Sequence, residues 1–505
     1  MYRQDFFLVT IFFITAISII VKSYFNLNGL LSPDSTSYLE LAQNLLQGNG
    51  YYVSASGNTG QDREFFATWP IGYPTFIFLT AKLTGFSVFW ASKFFNIFLV
   101  GAILIILRIL FKNNAYLYGL IFLFSSYIEI FSYTWSETLF IFALLCFASA
   151  LYFFIKDHKR IFLLYILIIS TSLLLFISKY IGAFSFIIIA FLGFYYGLVK
   201  KNTTKALILL SIAIINFSIM VFYLYHNYAE TGFITGMERI VSPETNLQLV
   251  YMLLRAIIAE LLIPIQQIKD HTFLPSALLF FGQFSILSFL LFKYRNKMLK
   301  VEHNTEHKSI ILSLVFFAIG LFYLMSLIVI RWISHFDEFY FRLLSPGSFL
   351  IFIGIIHFIL KKGTKDFVNA FKNFLIFFAV ISFLLNVPFK VWRHYPTTYY
   401  DRVASLKEYY KDIEKNSICI YCSRHINYLF TDIQRRTPYC IPYNSHKENW
   451  KDFLQRIDPE NKKTIYLNVI KFVPESESPG KICHRSVVDF IEKYFNGENR
   501  LIKLK

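Results

Sequence analysis

Charge is what this chain has least of: 16% of its 505 residues are Asp, Glu, Lys or Arg, against 56% that are apolar. Uncharged runs of about 18 residues or more recur along it, which excludes a soluble domain and leaves a polytopic membrane protein. No small-residue cleavage site follows the first hydrophobic run, 6–21, where Lys22, Ser23, Tyr24 and Phe25 come next, so that run is read as an uncleaved span. Walker, dinucleotide-binding, HExxH and GxSxG patterns are missing from any usable context. No internal repeat is visible either, which counts against transporters built from paired repeats. There are only 5 cysteines: Cys146 inside a span, and Cys419, Cys422, Cys440 and Cys483 in the polar tail. Cys419 and Cys422 form C-x-x-C in an apolar strand, where residues three apart point to opposite faces. That disfavours a shared chelate and leaves burial, or disulfides with three possible connectivities.

What the chain has in excess is aromatic, with 59 Phe and 33 Tyr, and basic, with a net charge of +17. In a soluble protein such a charge would suggest nucleic acid. Here the basic residues sit in short loops between hydrophobic runs, which is a topology signal, and no nucleic-acid partner is inferred. Spans are expected at 6–21, 88–111, 115–131, 135–155, 161–178, 180–199, 206–225, 274–292, 310–333, 343–360 and 374–389. These make a mainly α transmembrane bundle of about eleven crossings. The loops carrying Lys156, Lys159 and Arg160; Lys200, Lys201 and Lys205; Lys293 to Lys308; and Lys361 to Lys372 all face the cytoplasm if the amino terminus is inside. Residues 26–87 and everything beyond Lys390 are then outside. The segment 70–83, at about 14 residues, is too short to cross and is read as a helix lying along the surface. Two further outer segments are 227–273 and 335–342. Beyond about Trp392 charge becomes frequent and apolar runs shrink to strand length. Strands at 418–422, 439–442 and 464–469, with helices at 424–429, 450–457 and 487–495, give a small extracytoplasmic α/β domain. The division is therefore 1–390, with a first external loop at 25–87, and 391–505.

The longest early polar passage, 34–74, follows the first span directly. Asp34 opens an amphipathic helix with Tyr38 one turn on, so carboxylate and phenol share a face. The structural alternative is that Asp34 caps that helix, with Glu40 and Gln43 downstream. Glu137, in SETLF, begins a long span; it either caps a helix and stays hydrated or joins Asp34 on the same side of the membrane. Lys179, in ISKYIG, either snorkels to the interface or holds a phosphate beside an outer cavity. Arg331 and Arg342 flank HFDEFYF, where local pairing with Asp337 and Glu338 competes with recognition of an anionic head group.

The run D-x-x-x-Y-x-x-x-A-x-x-x-x-x-G-x-G-Y (Asp34, Tyr38, Ala42, Gly48, Gly50, Tyr51), followed by Pro-x-Gly-Tyr-Pro (Pro70, Gly72, Tyr73, Pro74), resembles the GT-C superfamily of membrane glycosyltransferases. The nearest groups are the bacterial protein O-mannosyltransferases and the aminoarabinose transferases. SETLF, SKYIG and FYFRLLSP are similar in order to later landmarks of that superfamily, and ICIYCSRHINYLFTDIQRRTPYCIP to the opening of its external tail domain. Departures are Ser35 after Asp34, where many relatives carry a second acid, Trp69-Pro70 in place of a double proline, and Lys179 in place of an arginine.

The resemblance implies transfer of a sugar from a polyprenyl-phosphate donor to an acceptor on the outer face of the inner (plasma) membrane. The acceptor is a lipid, a glycan or a protein. It further implies Asp34 as base, Glu137 as a second acid, and Tyr38, Arg63, Tyr73, Lys179, Arg255 and Arg342 around the substrates. No cofactor is certain, and a divalent metal stays open. Two other functions compete: a lipid-linked saccharide transporter or flippase, and an O-antigen-type polymerase.

Overall fold

The computed structural model describes residues 3–54, 63–156, 160–237, 239, 244–265, 273–295, 307–335, 339–420, 428–436, 450–469 and 500–504. In order, α1 (Arg3–Tyr24) and α2 (Pro33–Leu46) lead to a hairpin of β1 (Tyr52–Ser54) and β2 (Arg63–Phe65), then α3 (Gly72–Thr84) and α4 (Val88–Phe111). Next come the short α5 (Ala115–Gly119) and α6 (Ser125–Ser132), then α7 (Glu137–Ile155), α8 (Ile161–Ser178), α9 (Phe184–Phe194) and α10 (Thr203–Thr231). The second half holds α11 (Asn246–Leu261), α12 (Phe273–Tyr294), α13 (His307–Ile333), α14 (Phe341–Lys362) and α15 (Lys365–Asn386). The chain closes with α16 (Pro388–His394), α17 (Tyr399–Tyr409), β3 (Ile418–Ile420), β4 (Gln434–Arg436), α18 (Trp450–Ile457), β5 (Ile465–Val469) and β6 (Arg500–Lys503).

Among the described residues, 10 helical segments are long and apolar enough to cross a membrane. Helices satisfy their own backbone polar groups, which is why apolar runs of this length fold this way in lipid. One expected span is different. Residues 115–131 form no single helix: α5 runs into a 3₁₀ turn at Leu120–Leu123, Phe124 is extended (φ −72°, ψ 146°), and α6 follows. The segment nevertheless crosses the bundle. Arg108, near the end of α4, binds Asp5 at the start of α1 at 2.5 Å, and Tyr118 reaches His357 near the end of α14 at 3.0 Å. At the far end of the segment Glu129 meets Lys22, near the end of α1, at 2.5 Å. The break at Phe124 is tolerated because the groups it frees find partners. Ser125 N donates to the Ile263 carbonyl at 3.0 Å, and Ser125 Oγ donates to Asn386 Oδ1 at 3.1 Å.

Lys361 and Lys362, at the start of one of the lysine-rich loops, lie at the opposite end of the bundle from residue 34. Helix α14 starts at Phe341, beside the Asp34 end, and finishes at Lys361 and Lys362, about 33 Å away at 1.5 Å per residue. Helix α3 is packed between α2 and α4, with Tyr73 buried and Phe76 stacked on Phe95 at 5.2 Å.

The tail forms a four-stranded sheet in the order β4-β3-β5-β6, parallel except for β6. Ile418, Ile420, Ile465 and Leu467 pack against Phe453 and Ile457 of α18. Strands β4 and β6 went unforeseen because QRR and RLIK are short and polar, without an apolar alternation. The expected strand at 439–442, most of the helix at 424–429, the helix at 487–495, and Cys422, Cys440 and Cys483 lie outside the described residues; Cys419 is buried in β3. The tail is tied to the bundle by Phe89 stacked on Tyr399 at 3.9 Å and by an ion pair between Arg435 of β4 and Glu40 of α2.

Glu260, near the end of α11, is buried among hydroxyls. Ser348 and Ser345 donate to its Oε1 at 2.5 and 3.0 Å, and Ser126 to its Oε2 at 2.8 Å. Burial pushes this carboxyl up to about 7, against the downward pull of those hydroxyls. A raised carboxyl favours the fold while protonated, so its contribution is full below about pH 4.5 and is lost as pH rises through about 7. At about 1.4 kcal/mol per pH unit across that window, the loss is about 3 kcal/mol. In detergent, the Tm of the wild type is therefore expected to fall from pH 5 to pH 8 relative to that of Glu260→Gln; parallel curves for the two proteins would refute the assignment.

Candidate active site

Four helices meet at one end of the bundle, each contributing a charged group from a terminus. Helix α2 is capped by Ser32, in a reciprocal capping box with Ser35. Asp34 is therefore not the cap that its position suggested, and its carboxylate turns to Arg342. Glu137 is the first residue of α7 and is completely buried. Arg342, at the second position of α14, is buried between the two acids: its Nη2 lies 2.5 Å from Asp34 Oδ2 and its Nε 2.5 Å from Glu137 Oε1. Lys179 Nζ reaches the same Glu137 oxygen at 2.6 Å.

Lys179 is presented by an abrupt stop. Helix α8 ends at Ser178, Lys179 is extended, and a 3₁₀ turn over Tyr180–Ala183 carries the chain into α9. Gly182 closes that turn by donating to the Lys179 carbonyl at 2.8 Å, and a Cβ there would lie 2.2 Å from the Leu175 carbonyl oxygen. No side chain fits at that approach. Tyr180 ties the turn to the first loop by donating to the Ala67 carbonyl at 2.6 Å.

Trp135 was missed from sequence. Trp135 lies under the Arg342 guanidinium at 4.6 Å, stacks on Tyr133 at 4.0 Å, and donates to Ser32 Oγ at 2.8 Å. The signal was faint: an aromatic just before a span reads as an interface anchor. Tyr38 is buried one turn from Asp34 and donates to Ser136 Oγ at 3.3 Å. Burial, then the nearby Asp34 and Glu137 carboxylates, raises its phenol well above the ordinary value, so it stays a hydrogen-bond donor. Tyr73 packs edge-on to Tyr38 at 5.5 Å and donates to Asn96 Oδ1 at 3.0 Å.

The structure thus gathers Asp34, Tyr38, Glu137, Lys179 and Arg342, with Tyr73 behind them. Arg63 is exposed on β2 and Arg255 on α11, apart from that core. Arg331 pairs with Glu244 at 2.7 Å; Asp337 and Glu338, the local partners expected for it and one of two alternatives for Arg342, lie outside the described residues. Among the described residues no group of three or more His, Cys, Asp or Glu side chains is placed to hold a metal ion.

No family model matches the sequence, and no curated protein does. Among solved structures the chain is similar to ArnT, the aminoarabinose transferase, from Cupriavidus metallidurans bound to undecaprenyl phosphate, at 9% identity and a TM-score of 0.48 over 93% of this chain and 94% of that one. It is also similar to the Archaeoglobus fulgidus oligosaccharyltransferase in the apo form (12% identity, TM-score 0.47, 92% and 69% covered). A third likeness is to AglB from the same organism in complex with an inhibitory peptide and a dolichol-phosphate (12%, 0.46, 100% and 74%). These are likenesses of overall path, and the site stands on its own geometry.

Removing one partner of a buried ion pair leaves an uncompensated charge, at a cost of about 3–5 kcal/mol. Arg342→Ala is therefore expected to lower detergent-solubilised thermal stability sharply, and adding Glu137→Gln to recover part of the loss. If the second change lowers stability further, Arg342 is not what compensates the buried Glu137.

Proposed function

We propose that the protein is an integral membrane glycosyltransferase that moves a sugar from a polyprenyl-phosphate donor to an acceptor hydroxyl at the outer face of the membrane. The observation that carries this reading is the convergence of Asp34, Glu137, Lys179 and Arg342 at the bundle end opposite the lysine-rich loops. By the positive-inside rule that end is extracytoplasmic, and the tail from about residue 391 forms a separate domain seated there.

In this mechanism the acceptor hydroxyl gives its proton to the Asp34 carboxylate as its oxygen bonds to the sugar's anomeric carbon. The carbon–oxygen bond to the donor phosphate breaks, and polyprenyl phosphate leaves with the electron pair. Proton and charge are coupled. Asp34 holds Arg342 at 2.5 Å, and once Asp34 is protonated the guanidinium loses that counter-charge. Its field is then available to the departing phosphate at the moment negative charge develops there, which is when stabilisation lowers the barrier. Lys179 sits beside it, on Glu137. Glu137 Oε2 is buried with no hydrogen-bond partner among the described residues, an acceptor suited to a sugar hydroxyl. Tyr38 and Tyr73 form the wall behind, and Arg63 and Arg255 are assigned to the approach of the anionic substrates over the outer surface.

Purified protein mixed with a labelled polyprenyl-phosphate sugar and acceptor should release free polyprenyl phosphate, whereas a carrier would only relocate the donor. Asp34→Asn, which keeps the side chain's size and an oxygen that accepts from Arg342, is expected to insert and fold while turnover drops at least about a hundredfold, the scale of lost proton transfer. Undiminished turnover in that variant would remove Asp34 from the chemistry.

A further inference from the structure

Beside the Asp34 cluster lies a cavity of about 580 Å³ whose walls include Lys22, Glu129, Tyr133, Trp135, Lys390 and His394. It borders the cluster through the Ser32-Pro33 segment and through Tyr340 and Phe341, immediately before Arg342. Its size falls within the range of small-molecule sites, about 300–1,000 Å³.

Charge separates the two places. Around Arg342 two carboxylates, Asp34 and Glu137, meet two cations, Arg342 and Lys179, so the set is balanced. In the cavity Lys22 and Lys390 share a single oxygen, Glu129 Oε1, at 2.5 and 2.6 Å. Glu129 is the one acid among the residues that line it, so a unit of positive charge is left over. Lys22 and Glu129 are almost wholly buried, with side-chain exposures of 4% and 5%, whereas Lys390 is 39% exposed and can move toward a ligand. A surplus cation held in a partly enclosed, aromatic-walled space is stabilised by a matching anion. Lysine, a compact point charge with rotatable donors, suits a phosphate.

We propose that this cavity is a phosphate-binding subsite, which anchors the phosphate of a substrate before reaction while Arg342 and Lys179 are still occupied by Asp34 and Glu137. This rests on the glycosyltransferase reading for its purpose, but the site stands or falls separately, because binding can be measured without turnover. The phosphate has two sources, a polyprenyl phosphate or a soluble phosphorylated acceptor.

The experiment measures binding of a short-chain polyprenyl phosphate, the corresponding uncharged polyprenol, and glycerol phosphate to the full-length protein in detergent. Wild type is compared with Lys390→Gln and Lys390→Arg, and Tm is recorded for each. Lys390→Gln is expected to weaken one of the two phosphates roughly tenfold, as befits one lost charge-assisted contact, to leave the polyprenol unaffected, and to keep its Tm; Lys390→Arg should retain most of the affinity. Loss of the polyprenyl phosphate identifies the lipid as the source, and loss of glycerol phosphate the soluble acceptor. The proposal is overturned if Lys390→Gln binds both phosphates as the wild type does, or if the polyprenol binds as tightly as its phosphate. A lack of sugar transfer with these binding results intact would count against the enzyme reading and leave the subsite standing.

Discussion

A carboxylate with no exposure to solvent, at the first residue of a membrane-crossing helix, is the constraint around which this structure is arranged. Glu137 is tolerated there because two cations converge on one of its oxygens, and an unpaired charge at that depth would cost several kcal/mol. Each cation in turn fixes a piece of backbone. Lys179 requires the stop at the end of α8 and the Gly182 turn behind it. Arg342 sets the start of α14 against α7, and through Asp34 it draws in the start of α2. The ion cluster is thus a four-way joint between helices. Packing alone would give such a joint only weakly, because lipid supplies no hydrophobic drive between helices.

The same joint explains the shape of this end of the bundle. Helix α2 can present Asp34 because Ser32 takes over the capping duty, and Ser32 also accepts the Trp135 indole N–H. Trp135 then serves as a partition. It supports the guanidinium of Arg342 and also forms part of the neighbouring cavity wall. The tail is tied to this floor by Arg435 on Glu40, and Glu40 Oε1 accepts the Ser54 amide of β1 at 2.8 Å, so α2, the hairpin and the tail are linked through one glutamate.

What the sequence made legible follows from how each signal is generated. Long apolar runs locate the spans, since burial of charge in lipid is costly at every position. The 34–74 motif marked Asp34, Tyr38 and Tyr73, and the odd lysine of SKYIG marked Lys179. Local spacing was a poor guide to partners. Arg342 has acidic neighbours in sequence at Asp337 and Glu338, yet it reaches Asp34, 308 positions away. Periodicity also could not show that 115–131 is broken at Phe124, because the compensating donors and acceptors come from residues 263 and 386. The Lys22–Glu129–Lys390 cluster was invisible for the same reason: its members come from three separate segments, and each alone looks like a span-edge charge.

The broken crossing and the charge surplus are connected. A continuous helix over 115–131 would satisfy its own backbone and need nothing from its neighbours. The break instead hands Ser125 N to Ile263 and Ser125 Oγ to Asn386, and this pins α6 as a short helix against α1, α4 and α15. Its sequence then places Glu129 against Lys22 of α1, within reach of Lys390 just beyond the end of α15. Two lysines converging on one acid would repel one another without it, and Glu129 holds them together while cancelling only half their charge. A helix cut short is therefore what leaves a surplus positive charge on the wall of the cavity beside the Arg342 cluster.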